Sequence, residues 1–414
     1  MKIFKFLAVA LVAMLGFTAC EKHECDFIEV DHSADLVGTW TYLSANYAEA
    51  LVIKADGSVV STGVEDGEYW DGVKGNIKTV NNKMTLTFED GDNYEGRFEM
   101  LCGEAFTIFN EEGDNMTYRY CANDLSDEIV GMWVCNDGPM PGDDDMSIQT
   151  FKEDGTTILT GIGNADGALV NQGDITYKVV GDLLINIMPE TAETGVSRHF
   201  CSRIAYSSNG TTLGDVMTLK TYALIGDDIV ESTASWLRVK QSLDLAGQKY
   251  DYKNVYVSNV KGEDKDIPFF DTTINFAKLD NSLMNNFLSA TLFSVEFPDA
   301  NTMKYSFLLA NNITTYPTSI EVEGNKMTIK MSANNSVYKD VELYAFQDKD
   351  NSQLHMYMPT KSFENFLGNM QVNIMVEKGQ LDLTNAEAVN AIYNEISNAV
   401  ETINVSLQMT KAAK

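Results

Sequence analysis

The chain has 414 residues, 44% of them apolar and 10% aromatic, enough to fill the cores of about three domains of ordinary size. Its 60 Asp and Glu against 30 Lys and Arg give a net charge of -30. A field of that sign, without clustered Lys and Arg, excludes nucleic acid and anionic lipid surfaces as partners. The acids fall in turns such as Glu89-Asp90-Gly91-Asp92, Asp143-Asp144-Asp145 and Asp348-Lys349-Asp350, as suits a solvated surface.

At the N-terminus Lys2 and Lys5 precede an apolar run from Phe6 to Phe17, too short for a membrane span and shaped like the core of a secretory signal. Residues 1–19 are therefore expected to be removed. Leu15-Gly16-Phe17-Thr18-Ala19-Cys20 resembles a lipobox. That resemblance implies that Cys20 becomes the lipidated first residue of an exported lipoprotein anchored in the cell envelope, in the outer membrane, with 20–35 as a tether. The five further cysteines, Cys25, Cys102, Cys121, Cys135 and Cys201, are odd in number, and no pairing is assigned.

Module one (36–124) opens at Leu36-Val37-Gly38-Thr39-Trp40 and continues as short strands joined by Gly, Asp and Asn turns, the pattern of an up-and-down antiparallel meander. One strand start is then written three times, at Asn82-Lys83-Met84, Gly181-Asp182-Leu183 and Gly324-Asn325-Lys326-Met327. Each follows an upstream marker, Asp56-Gly57, Asp154-Gly155 or Asp299-Ala300, by 27 or 28 residues. Module two (125–242) restarts at Ile129-Val130-Gly131-Met132-Trp133, with longer loops at 136–146 and 189–197.

Module three (243–414) starts with a strand at Tyr250–Val257 and carries an insertion, Phe276–Leu292, with Leu279, Leu283, Phe287 and Leu288 near helical spacing. Lys361–Asn369 is expected to form a short helix and 370–376 a strand. A second helix follows, with Thr384 and Glu387 as a capping box and Ala388, Ile392, Ile396 and Val400 as its apolar stripe. A closing strand is expected over Ile403–Met409. The predicted fold is all-β dominated: three consecutive antiparallel meander barrels, the third with inserted and C-terminal helices.

Gly38-x-Trp40 and Gly131-x-Trp133, each heading the first strand of a meander, resemble the signature of lipocalin and wider calycin barrels. In that family the tryptophan closes one barrel end and packs against an arginine of the last strand; carried over, the resemblance implies the plug pairs Trp40 with Arg119 and Trp133 with Arg238. The match covers 36–240. The arrangement is similar to lipocalin-like lipoproteins of Gram-negative anaerobes, a group mostly without assigned ligands. Module three lacks the Gly-x-Trp, so its end must close differently; its inserted helix resembles the lid of fatty-acid-binding relatives.

The four histidines, His23, His32, His199 and His355, have no close metal-ligand spacing, and no nucleophile elbow is present. Gly161-Ile162-Gly163-Asn164-Ala165-Asp166-Gly167 misses the nucleotide fingerprint by one place and sits in hairpin context. The expectation is a non-enzymatic binding or interaction protein without cofactor or metal. A small apolar ligand would lie in the third barrel, against Phe276, Phe287 and Phe293. The alternative is a surface protein directed at glycans, with Tyr69-Trp70 offering a stacking platform.

Overall fold

The thrice-written strand start is the same piece of backbone each time. Asn81, Gly181 and Gly324 take left-handed φ values of 57°, 61° and 61°, as two-residue hairpin turns require. Past each turn the same cross-strand bond forms: the amides of Phe98, Ile204 and Ala345 donate to the carbonyls of Asn82, Asp182 and Asn325 at 2.9, 2.7 and 2.8 Å. The upstream markers agree as well. Asp56 and Asp154 accept the amides of Ser58 and Thr156, both at 2.9 Å, and Asp299 accepts that of Asn301 at 2.8 Å.

The computed structural model describes residues 32–109, 115–135, 146–162, 169–188, 198–208, 215–225, 228–269, 272–309, 312–333 and 335–413. These form three consecutive closed antiparallel barrels of eight strands each, consistent with a lipocalin-like fold. The first runs from Gly38–Leu43 to Asn115–Cys121 and closes through Thr39 opposite Cys121, Trp40 opposite Tyr120 and Thr41 opposite Arg119. The second runs from Gly131–Cys135 to Asp228–Val239 and closes through Met132, Trp133 and Val134 opposite Val239, Arg238 and Leu237. Closure pairs the two edge strands of each of these sheets with one another.

The third barrel runs from Gln248–Gly262 to Val400–Lys411, with a longer seam between these two strands, from Tyr250 opposite Lys411 to Gly262 opposite Val400. Its first strand pairs with the second, Leu292–Asp299, only from Gln248 to Asp251. Beyond that, helix α1 (Asn281–Thr291) covers the free edge: Asn285 accepts the Val255 amide at 2.9 Å and Asn281 the Val257 amide at 2.5 Å. Asparagine side chains on a helix here stand in for a missing strand.

Between the seventh and eighth strands lie α2 (Thr360–Glu377) and α3 (Ala386–Ala399). The strand expected at 370–376 is part of α2. Met370, Val372, Ile374 and Val376 do alternate, but Phe363, Leu367, Met370 and Ile374 recur at helical spacing, and those four are buried. In α3 the cap is Asn385, which accepts the Ala388 amide at 3.1 Å; Thr384 instead donates to Asp382 at 2.8 Å. Within the helix the buried residues are Val389, Tyr393, Ile396 and Ala399; of the expected stripe, Ile396 and Val400 are buried and Ile392 packs beside them, while Ala388 does not join the core.

The barrels dock in series. Leu183 and Ile185 of the second pack on Ala48 and Ala50 of the first. Beside them Thr41 and Cys121 donate to Asp182 at 2.6 and 3.0 Å, and Arg203 pairs with the same carboxylate at 3.3 Å. Tyr344, Phe346 and Tyr357 of the third barrel pack on Val134, Met146 and Ile148 of the second, and the Lys240 amide donates to Gln347 at 2.9 Å. The repeated turn serves both joints, for Asn325 donates to the Lys240 carbonyl at 3.5 Å. Among the described residues Cys102, Cys121 and Cys201 are free thiols.

Candidate functional site

The two Gly-x-Trp starts are built alike. Each indole is buried and donates through Nε1 to the carbonyl four residues earlier, Leu36 for Trp40 and Ile129 for Trp133, both at 2.7 Å. The group set over the indole differs. In the second barrel the Arg238 guanidinium lies 4.5 Å from the Trp133 ring centroid and donates to the carbonyls of Val130, at 2.9 Å, and Glu128. In the first barrel Arg119 does not hold this place. It is exposed and sits opposite Thr41, while Tyr120 sits opposite Trp40 with the rings edge-on at 5.1 Å.

The correction is a shift of one residue. Tyr120, not Arg119, is the counterpart of Arg238, because a strand's alternate residues face opposite sides of the sheet. Gly38 admits the Tyr120 ring: a Cβ there would come within 2.5 Å of it. In the third barrel Tyr250 takes the tryptophan's position, fully buried, with its hydroxyl bound by Gln347 at 2.8 Å and Lys411 opposite it in the last strand.

The interior of the third barrel keeps an apolar cavity of about 60 Å³. Met303, Met331, Met356, Met358 and Met370 line it, with Tyr305, Phe307 and Leu343. The roof is α2, which contributes Phe366, Met370 and Ile374. The expected lid, α1, instead lies along the first strand. Asn369 and Asn373 on the roof are anchored: Asn369 donates to the Lys339 carbonyl at 2.8 Å and Tyr338 donates to Asn373 at 2.6 Å.

Of the expected lining residues, Phe276 is buried but packs beside Gly262, away from the cavity, where a Cβ would come 2.7 Å from its own. Phe287 falls in α1 and Phe293 in the strand Leu292–Asp299, but their side chains lie outside the described residues. So do Cys20 and residues 21–31 of its tether, and the 136–145 loop with Asp143, Asp144 and Asp145.

A larger cavity, about 590 Å³, opens at the mouth of the first barrel, and Trp70 lines it. Half-buried, Trp70 lies across Gly63, where a Cβ would meet its ring at 2.4 Å, and donates to the Ser61 hydroxyl at 2.7 Å. Ser61 passes the chain inward, donating to Glu49 at 2.6 Å. Tyr47, at 2.9 Å, and Tyr118 donate to the other oxygen of the same carboxylate. Glu49 is 5% exposed, and burial holds its carboxyl above the usual range. Burial likewise raises Tyr47 and Tyr118, whose ionisation the neighbouring carboxylate opposes further.

Sequence reasoning missed Glu49. Its signal was one charged residue inside the apolar strand Tyr47–Ile53, on the same face as Leu51 and Ile53, which are buried in the barrel core. Among the described residues no three His, Cys, Asp or Glu side chains are grouped to hold a metal ion. His199 stacks on Tyr69 at 5.7 Å, and half-buried His355 is held neutral with its pKa lowered to about 4 by desolvation. No protein-family model matches the chain, and no curated protein matches it.

Two outcomes check this geometry. Arg238→Ala removes a cation–π contact and leaves two carbonyls without their donor, at a cost of about 1–2 kcal/mol. Arg119→Ala should stay within about 0.5 kcal/mol of the parent, as for an ordinary surface change; urea unfolding reads both. For Glu49 the folded pKa is raised, so its contribution is fully present below the ordinary value and is lost as pH rises through the folded one. The thermal midpoint of Glu49→Gln should therefore overtake that of the parent progressively above about pH 4.5 and level off once Glu49 is ionised.

Proposed function

We propose that this chain is a non-enzymatic, lipid-anchored binding protein of the bacterial cell envelope, related to the lipocalin-like lipoproteins, whose third barrel holds a small apolar ligand. The observation that carries the reading is the methionine-lined cavity closed by α2. At about 60 Å³ it exceeds the roughly 10–15 Å³ that one water needs, and an apolar cavity of this kind stays dry and receptive to apolar guests. Unbranched, polarisable methionines let the walls adjust to the shape of a guest.

The glycan alternative draws less support from Trp70, whose indole nitrogen is spent inward on Ser61. The anchor rests on the lipobox around Cys20, and residues 32–35 lead directly into the first barrel, so the tether would hold that barrel nearest the membrane.

Intact mass of the membrane-extracted protein tests the anchor: the expected mass is that of a chain starting at Cys20 plus acyl groups, and an unmodified N-terminus refutes it. Methyl-labelled methionine NMR tests the cavity. Adding 1-hexanol should shift Met303, Met331, Met356, Met358 and Met370 selectively, and Leu343→Trp, which fills the space, should abolish the shifts. An unchanged spectrum in the parent protein refutes ligand carriage by the third barrel.

A further inference from the structure

We propose that the mouth of the first barrel is a second binding site, one that takes an organic cation, an amine or quaternary ammonium group borne on a small apolar body. The cavity there is about 590 Å³, roughly ten times the space inside the third barrel. Among the described residues its lining includes Glu49, Glu65, Asp66, Glu68, Asp90 and Asp92, and neither Lys nor Arg. Low-dielectric walls around charges of one sign concentrate the opposite charge.

The acids alone would serve any cation. The aromatic walls select among them. Tyr47, Tyr69, Trp70, Phe88 and Tyr94 line the same space, and ring faces attract a soft, weakly hydrated organic cation. A hard divalent ion needs several converging oxygens, and among the described residues no three acids are grouped to hold one.

Glu49 gives the site its depth. It is a buried carboxyl group lining the cavity, held by three hydroxyl donors, and nearby Glu65 acts on it with charge of its own sign. Hydroxyls orient the group without supplying a countercharge, so a bound ammonium would supply one and favour the ionised carboxylate against the burial that opposes it. Trp70 links wall to floor: its ring faces Tyr47 at 6.0 Å, and its nitrogen bonds to the serine that bonds to Glu49. An occupant touching the ring therefore acts on the position of the carboxylate.

Calorimetry on the full chain in detergent tests this with choline and its uncharged isostere 3,3-dimethyl-1-butanol. Choline should bind at one site, at least about tenfold more tightly than the isostere, and Glu49→Gln and Trp70→Leu should each weaken it about tenfold. Both variants are read alongside circular dichroism, and the rim variant Asp90→Asn, which leaves the buried network intact, should weaken choline by a smaller factor. Equal binding of the two isosteres, undiminished binding in folded Glu49→Gln, or displacement of choline by equimolar calcium chloride overturns the proposal. So does binding of methyl glucoside in place of choline, which would make the mouth a sugar platform. The third-barrel methionine signals report separately, so either site can fail without the other.

Discussion

Everything in this molecule depends on the seam where the last strand of each sheet returns to the first. An antiparallel sheet of eight strands has two edges whose amides and carbonyls must find partners, and closure is what supplies them. In the first two barrels the seam is three residue pairs long, and the buried tryptophan sits at its middle pair. A group from the last strand, Tyr120 or Arg238, covers that indole from the opposite side of the seam. The third barrel has a long seam and manages with a tyrosine, so the hydrogen-bonded length and the aromatic plug act as alternative reinforcements of one joint.

A closed, plugged barrel has little freedom left, and function falls where the closure is relaxed. In the third barrel relaxation takes the form of inserted elements: the second strand pairs with the first for only four residues, a helix replaces the rest, and another helix roofs the interior. In the first barrel it takes the form of a charged residue in an inward position. Glu49 replaces apolar filling with a hydrogen-bonded network that needs room, and the open mouth follows from it.

Much of this was legible in the sequence because the repeat was written in turns. A left-handed turn position tolerates few residue types, so Asn81, Gly181 and Gly324 mark the same corner in three barrels, and the 27- or 28-residue spacing fixes what lies between. What failed to show was anything that depends on which way one side chain points. Arg119 and Tyr120 are neighbours in sequence and on opposite faces in the sheet, so aligning the two arginines chose the wrong face by one step. Residues 370–376 satisfy two periodicities at once, and only the packing of Leu367 and Met370 decides between them. Glu49 was visible as a letter, but its burial depends on Tyr118 and Ser61, 69 and 12 positions away.

The serial docking has a consequence for how the chain comes apart. Each joint is local, made by one barrel with its immediate neighbour through the repeated turn, so cohesion along the chain adds up link by link, as in a row of coupled units. The central barrel is gripped from both sides, and the outer two from one. Each of those outer two also holds a cavity, one at its mouth and one in its interior. A guest at either end of the row thus meets a barrel held by a single joint, and its binding energy bears on that joint first.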